Sequence, residues 1–176
     1  MDAISQTRIG AVYPELARRW TKADQMLTSL GFDIRIDQGW RSVADQDALY
    51  AQGRTTPGEI VTYAQGLESY HCMGLAIDFV PMQDGEPIWD RTHPAYAKTI
   101  QIAESLGLTS GSTWPEPKTD FPHLQITGRF PVGAPDSYCQ QLFTSGGLQA
   151  VWHEMDLALG IAPTNAADVA EALDPG

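Results

Sequence analysis

Leu75 to Pro81 reads LAIDFVP, an apolar run interrupted once, by Asp78. So short an apolar segment is a central strand, and it carries one inward carboxylate. A buried ionised carboxylate with no cation or donor beside it is costly, so the fold has to bring Asp78 a partner. Two histidines stand where they can do so. His71 lies upstream in SYHCMGLAID, Ser69 to Asp78, and His123 lies downstream in DFPHLQ, Asp120 to Gln125. Two imidazoles and one carboxylate leave the fourth position of a tetrahedral zinc site open to water, as catalytic zinc requires. Asp120, three residues before His123, is close enough to act on that water. Gly74 and Ala76 are small where backbone must pass near the site, and Pro122 fixes the approach to His123.

Taken singly, each histidine reads as an ordinary polar residue; the ordered set is what carries the metal. Two other readings use the same residues. Two His and one carboxylate also describe the facial triad of iron oxygenases, although the close His-x-Asp spacing and many-stranded barrel of those enzymes are missing here. A zinc-containing binding module without catalysis is the other. His93, before Pro94, reads as helix-entry punctuation, and His153 falls on a helix late in the chain.

The elements around these motifs define an α+β chain. Pro14 opens a helix to Leu30, with Leu16, Trp20, Ala23, Leu27 and Leu30 on one face and Gly31 as its stop. FDIRID alternates as a half-buried strand and delivers Arg41 beyond its end. Ser42 with Asp45 is the cap of a helix ending at Gly53. A loop from Arg54 to Tyr70 leads into His71, and DGEPI at Asp84 to Ile88 suggests a hairpin. Pro94 starts a helix to Leu106, and Thr109 to Thr119 is a loop ahead of the HLQI strand. The core is expected to end there. Asp136 to Phe143, Leu148 to Leu159 and Ala166 to Leu173 read as further helices, separated by Gly146-Gly147 and by Gly160 to Asn165.

The pattern Ser69, His71, Gly74, Ala76, Asp78, followed by Asp120, Pro122 and His123, resembles that of the bacterial cell-wall zinc peptidases. These include D-alanyl-D-alanine carboxypeptidases and L-alanyl-D-glutamate endopeptidases. GWRS at Gly39 to Ser42 and LYAQGRTTPGEIVT at Leu49 to Thr62 resemble the endopeptidase branch. Two stretches depart from the pattern: Gly66-Leu67-Glu68 stands where a pair of glycines is usual, and Ser110 to Trp114 replaces a Trp-Gly-Gly-x-Trp loop. The resemblance implies the compact D,D-peptidase fold shared with Hedgehog domains, with a small antiparallel sheet flanked by helices and a helical C-terminal extension. It implies Zn2+ on His71, Asp78 and His123, with Asp120 as general base and bacterial peptidoglycan stem peptides as substrate. The L-alanyl-D-glutamate bond is the expected target, and removal of a terminal D-Ala is the alternative. Arg41 is the candidate for the substrate carbonyl or carboxylate, because a guanidinium is a planar, always charged fork. Ser69 is a candidate to hold a substrate group, and Trp114 either floors the cleft or is plain core.

Composition excludes other classes. A formal net charge of -11 argues against nucleic acid, whose binding rests on a surplus of Lys and Arg. Cys72 and Cys139 are too few for a disulfide framework. No apolar stretch has signal-peptide or membrane-span length. The expectation is therefore a protein made in the cytoplasm without a signal peptide, monomeric and not inserted in a membrane. It would reach the wall through a separate pore, as a phage endolysin does, or by another export route. Residues 1–130 are expected to form the catalytic domain and 131–176 a helical acidic extension packed on it. From Gly128 onward six acids face Arg129 alone, which reads as a solvated surface.

Overall fold

The computed structural model describes residues 1–164 and Ala167. Five strands form one antiparallel sheet: β1 Asp33–Gln38, β2 Ala76–Gln83, β3 Glu86–Pro87, β4 Thr109–Gly111 and β5 Asp120–Gln125. Their order is β1-β2-β5-β4, with β3 paired to β2 as a hairpin arm. The strand that holds Asp78 is thus central. Its apolar side chains are buried, and Phe79 stacks at 6.2 Å on Trp20.

Among the described residues the sheet is surrounded by helices α1 Ala3–Gly10, α2 Pro14–Ser29, α3 Val43–Ala51, α4 Pro94–Ser105 and α5 Ser137–Leu159, with a 3-10 turn at Gly66–Glu68. Helix α2 buries Leu16, Trp20, Ala23 and Leu27 of the predicted stripe, while Leu30, expected on the same face, caps the helix end and is 57% exposed. The N-H of Phe32 closes on the Leu27 carbonyl past Gly31, which adopts a φ of +82°. Helix α3 starts as its sequence requires, with the Ser42 hydroxyl accepting from the Asp45 N-H. His93 caps α4 through its ring, which accepts from the Ala95 N-H.

Three further features differ from the sequence reading. Helix α1 is new: its Ser5 hydroxyl accepts from Ile36 N-H, and Arg8 donates to the Ile36 carbonyl. Side chains of α1 thus satisfy backbone groups on the outer edge of β1, which would otherwise be an unpaired strand edge. Strand β4 lies inside the expected 109–119 loop. The third concerns the C-terminal region, where the core continues past β5. Helix α5 breaks at Gly147, which has φ +63° and ψ -155°, so the two expected rods are present and joined. The second rod buries Leu148, Val151, Trp152 and Met155 in the common core. Its acids do not form a purely solvated surface. Asp156 is 1% exposed and accepts from the Tyr13 hydroxyl and from Thr164, while buried Glu154 pairs with Arg129. A desolvated carboxylate survives there because donors from two other segments meet it. The expected helix from Ala166 to Leu173 lies, Ala167 apart, outside the described residues. No helix among the described residues is long and apolar enough to cross a membrane.

Candidate metal centre

Each of the three candidate ligands is held by a different piece of backbone. Asp78 and His123 are direct neighbours across the β2–β5 ladder. His71 sits in a tight turn, in which Met73 and Leu75 N-H groups both bond the Tyr70 carbonyl and Gly74 N-H bonds that of His71. That turn is clamped from outside. Tyr13 N-H donates to the Gly74 carbonyl at 2.8 Å, and the Trp152 indole donates to the Met73 carbonyl at 2.9 Å. Gly74 has a φ of +64°, and a Cβ there would come within 2.9 Å of the Trp152 ring, so only glycine fits.

The ligand atoms converge. His71 Nε2 lies 3.3 Å from His123 Nδ1 and 3.3 Å from Asp78 Oδ1, and His123 Nδ1 lies 3.2 Å from Asp78 Oδ1. The outer ring nitrogens are occupied by acceptors. His71 Nδ1 is 2.9 Å from the Gly39 carbonyl, and His123 Nε2 is 2.9 Å from Gln125 Oε1. The Gln125 amide nitrogen donates to the Val132 carbonyl, which fixes its oxygen toward His123. Both imidazoles are thereby set as tautomers with inward lone pairs, the arrangement of metal-bound histidines. Three acceptors at van der Waals distance in a buried site repel one another unless a cation or an added proton lies between them. His71, Asp78 and His123 therefore fit a metal ion. Without one, Asp78 is held well below the usual carboxylate range, because the attraction of both imidazoles outweighs its burial. Burial opposes a charge on His123, but its bond to Asp78 prevails and raises its pKa.

Asp120 opens β5. Strict alternation would turn it away from His123, but the β4–β5 ladder jumps between Ser110↔Leu124 and Gly111↔Asp120. The bulge between 120 and 124 re-aims the strand. Gly111 makes this possible, since a Cβ there would lie 2.7 Å from the Asp120 carbonyl. The Asp120 carboxyl is pushed above its ordinary range by burial and by the charge of Asp78; His123, His71 and Arg91 offset this only in part. It therefore shares an electrostatic environment with all three ligands.

Arg41 follows β1. Its N-H donates to the His71 carbonyl, and its guanidinium donates to Gln46 Oε1 at 2.7 Å and Gln38 Oε1 at 3.2 Å. Gln38 is the cross-strand neighbour of Asp78. Among the described residues no carboxylate lies within ion-pair distance of Arg41, so its charge meets only neutral amides. Gln46, 1% exposed, gives its amide N-H groups to Thr62 Oγ1 and the Ala64 carbonyl, which leaves its oxygen for Arg41. Ser69 is buried at the start of the His71 turn, and its carbonyl accepts from Cys72 N-H. The half-buried Trp114 ring lies 5.0 Å from the His123 ring. Both cysteines are buried free thiols, and burial pushes Cys72 up to about 12, so it is not a nucleophile.

The first departure from the resembled pattern, Gly66-Leu67-Glu68, has a local explanation. Gly66 is pressed against Val43, where a Cβ would approach a methyl carbon to 2.5 Å, and Glu68 reaches back to the Gln65 N-H to cap the 3-10 turn. Leu67 packs on the core. Gly39, Gln46, Arg91 and Gln125 are site residues that sequence reasoning missed. Only Gly39 and Gln125 had any signal, as neighbours of motif residues.

Residues 62–126, which span the His71 turn to the end of β5, match the family described as D-alanyl-D-alanine carboxypeptidase. Over 104 residues the chain is 45% identical to the peptidoglycan L-alanyl-D-glutamate endopeptidase CwlK of Bacillus subtilis, covering 54% of this chain and 62% of that protein. The chain thus spans about three-fifths of the length of that relative. Among solved structures, the L-Ala D-Glu endopeptidase ChiX of Serratia marcescens superposes with a TM-score of 0.56 at 24% identity, over 73% of this chain and 90% of that one. The LdcB LD-carboxypeptidase gives 0.53 at 14% identity, over 87% and 71%. At these identities the two structures speak for the fold, which is the one the resemblance implies. The family resemblance itself is borne out across the segment that holds the metal centre.

Proposed function

We propose that this chain is a zinc-dependent peptidoglycan hydrolase that cleaves stem peptides at the L-alanyl-D-glutamate bond. The observation that carries the metal is the near-equilateral triangle of ligand atoms with edges of 3.2–3.3 Å. In a regular tetrahedron the edge is roughly 1.63 times the centre-to-vertex distance, which gives bonds of about 2.0 Å, the zinc–imidazole and zinc–carboxylate length. An octahedral face with the same edge, roughly 1.41 times the bond, needs about 2.3 Å. That length suits calcium and oxygen donors, not two imidazoles. The iron-oxygenase reading loses support on the same comparison. The choice of bond is supported by the 45% identity to the Bacillus subtilis endopeptidase over 54% of this chain.

Zinc bound here supplies Lewis acidity and a water whose pKa is lowered to about 7. The protein's own residues do the rest. Asp120 takes the proton from the attacking water and hands it to the leaving nitrogen as the new carbon–oxygen bond forms and the carbon–nitrogen bond breaks. Arg41, uncompensated by any nearby carboxylate, faces the carbonyl oxygen as it gains charge. Trp114 walls the centre on the His123 side, and Ser69 holds substrate at the mouth of the His71 turn. Products are an L-alanine carboxylate and a free D-glutamate amine.

The test is mass spectrometry of purified wall digested with metal-loaded protein. New L-Ala carboxyl and D-Glu amino termini are expected. Loss of D-Ala alone would favour the carboxypeptidase reaction, and an intact wall in the presence of stoichiometric zinc would favour a binding module.

A further inference from the structure

Arg91 lies in the connection between β3 and α4, outside every motif and outside the mechanism above. Its side chain is exposed, yet the guanidinium carbon stands 5.8 Å from the centroid of the Phe121 ring, the residue next to Asp120. Its charge acts on Asp120. Among the described residues no carboxylate lies within ion-pair distance of it, so this cation beside the Phe121 ring is not neutralised. The backbone that presents it is held on both sides. Ile88 donates its N-H to the Pro81 carbonyl at 2.8 Å and accepts the Tyr96 hydroxyl at 3.0 Å. Asp90 takes both the N-H and the hydroxyl of Thr92 at 2.9 and 2.7 Å, and His93 N-H bonds the Asp90 carbonyl. A fixed loop thus offers a free guanidinium on the Asp120 side of the site.

That side is chemically defined. Asp120 returns its proton to the leaving nitrogen, so the residue that leaves must lie against Asp120. In a stem peptide the leaving D-glutamate is linked onward through its side-chain carboxyl, and its α-carboxyl stays free, two bonds from the leaving nitrogen. A cation beside Asp120 is therefore beside that group. We infer that Arg91 is a substrate-binding residue whose guanidinium takes the α-carboxylate of the leaving D-glutamate. A guanidinium fork matches a carboxylate with two parallel hydrogen bonds. A carboxamide, which walls with amidated D-glutamate carry, offers neither the charge nor the second acceptor. Arg91 thus sets a preference for the unamidated stem. This inference rests on the endopeptidase reading above.

Steady-state kinetics of the zinc-loaded full chain on two synthetic peptides tests it. The peptides contain L-Ala-γ-D-Glu followed by a diamino acid and differ only in a free α-carboxylate or an α-carboxamide. The wild type is expected to favour the carboxylate by roughly 10- to 100-fold in kcat/KM, the range of a charge-assisted hydrogen bond. Arg91→Gln is expected to lose that factor on the carboxylate peptide, mainly through KM, and to treat the two peptides alike with unchanged zinc content. Arg91→Lys should restore part of the preference. A wild type with no preference, or an Arg91→Gln protein that keeps it or falls equally on both peptides, overturns the assignment while leaving the endopeptidase reading standing. A zinc-loaded wild type that cleaves neither peptide overturns both.

Discussion

Trp152→Ala is the substitution that ties the late helix to the metal centre most directly. Trp152 is fully buried, meets Tyr13 in a tilted ring contact at 5.9 Å, packs on Gly74, and holds the Met73 carbonyl, two residues beyond His71. Truncating a buried Trp to Ala costs about 3–5 kcal/mol, a large share of the roughly 5–15 kcal/mol that stabilises a domain. For a domain of this size each kcal/mol lowers Tm by about 2–4 °C, so a fall of about 6–20 °C is expected. The turn that carries His71 also loses an outer clamp. Zinc affinity should drop about tenfold, the lower end of what contacts that orient metal ligands contribute. Trp152→Phe keeps most of the packing and deletes only the hydrogen bond, so it should fall between. Leu157→Ala, at a position 56% exposed on the same helix, should change stability by no more than about 0.5 kcal/mol. Thermal unfolding followed by circular dichroism, with zinc affinity from chelator competition, reads both quantities. A Trp152→Ala protein that melts within a few degrees of wild type would refute the docking argument. One that melts early but binds zinc as tightly would show that α5 supports the fold without holding the turn.

Asp120→Asn should retain zinc and lose roughly 10²- to 10⁴-fold in rate, the contribution of a general base; near-normal turnover would leave Asp120 a turn residue. The same substitution should raise the Tm of metal-free protein at pH 7. The folded pKa of Asp120 is raised, so its stabilisation is present below the unfolded value and lost as pH rises, and the gain should vanish below about pH 4. Gln125→Leu leaves His123 Nε2 without its acceptor and should weaken zinc binding about 10- to 100-fold, read by chelator competition; unchanged affinity would mean that the β2–β5 ladder alone orients the ring.

Much of the fold was legible because its elements obey local rules. The α2 stripe, the Pro94 start, the Ser42 cap and the glycine stops are all properties of short windows. The candidate metal ligands were legible for a different reason: Asp78 breaks an apolar strand, and a broken pattern marks a group that needs a partner. Helix α1 escaped because AISQTRIG has no apolar period; it is held by polar side chains reaching β1, a tertiary fact. Strand β4 is three residues long and pairs across a register jump, so no alternation announces it. The acids of α5 read as solvated because their donors, Tyr13 and Arg129, come from elsewhere in the chain.

One part of the site that stayed hidden owes its role to a backbone position rather than to a side chain. Gly39 shows this. A Cβ there would meet the Arg8 carbonyl at 2.5 Å, so the close approach of α1 demands glycine, and the Gly39 carbonyl is the group that orients His71. Gly74 repeats the logic on the other side, where the demand comes from Trp152 of α5, and Gly111 repeats it for Asp120. The candidate metal centre is thus the point at which α1, α5 and a bulged strand all press on the same few residues. From this it follows that a cut between residues 130 and 131, the boundary the sequence suggests, runs through the support of the site and not beside it. A fragment ending at Gly146 keeps every ligand but lacks Leu148, Val151, Trp152 and Met155 from the core, and it should neither fold cooperatively nor bind zinc tightly. Recovery of a folded, zinc-binding fragment of that length would show that α1 and the sheet hold the His71 turn without α5.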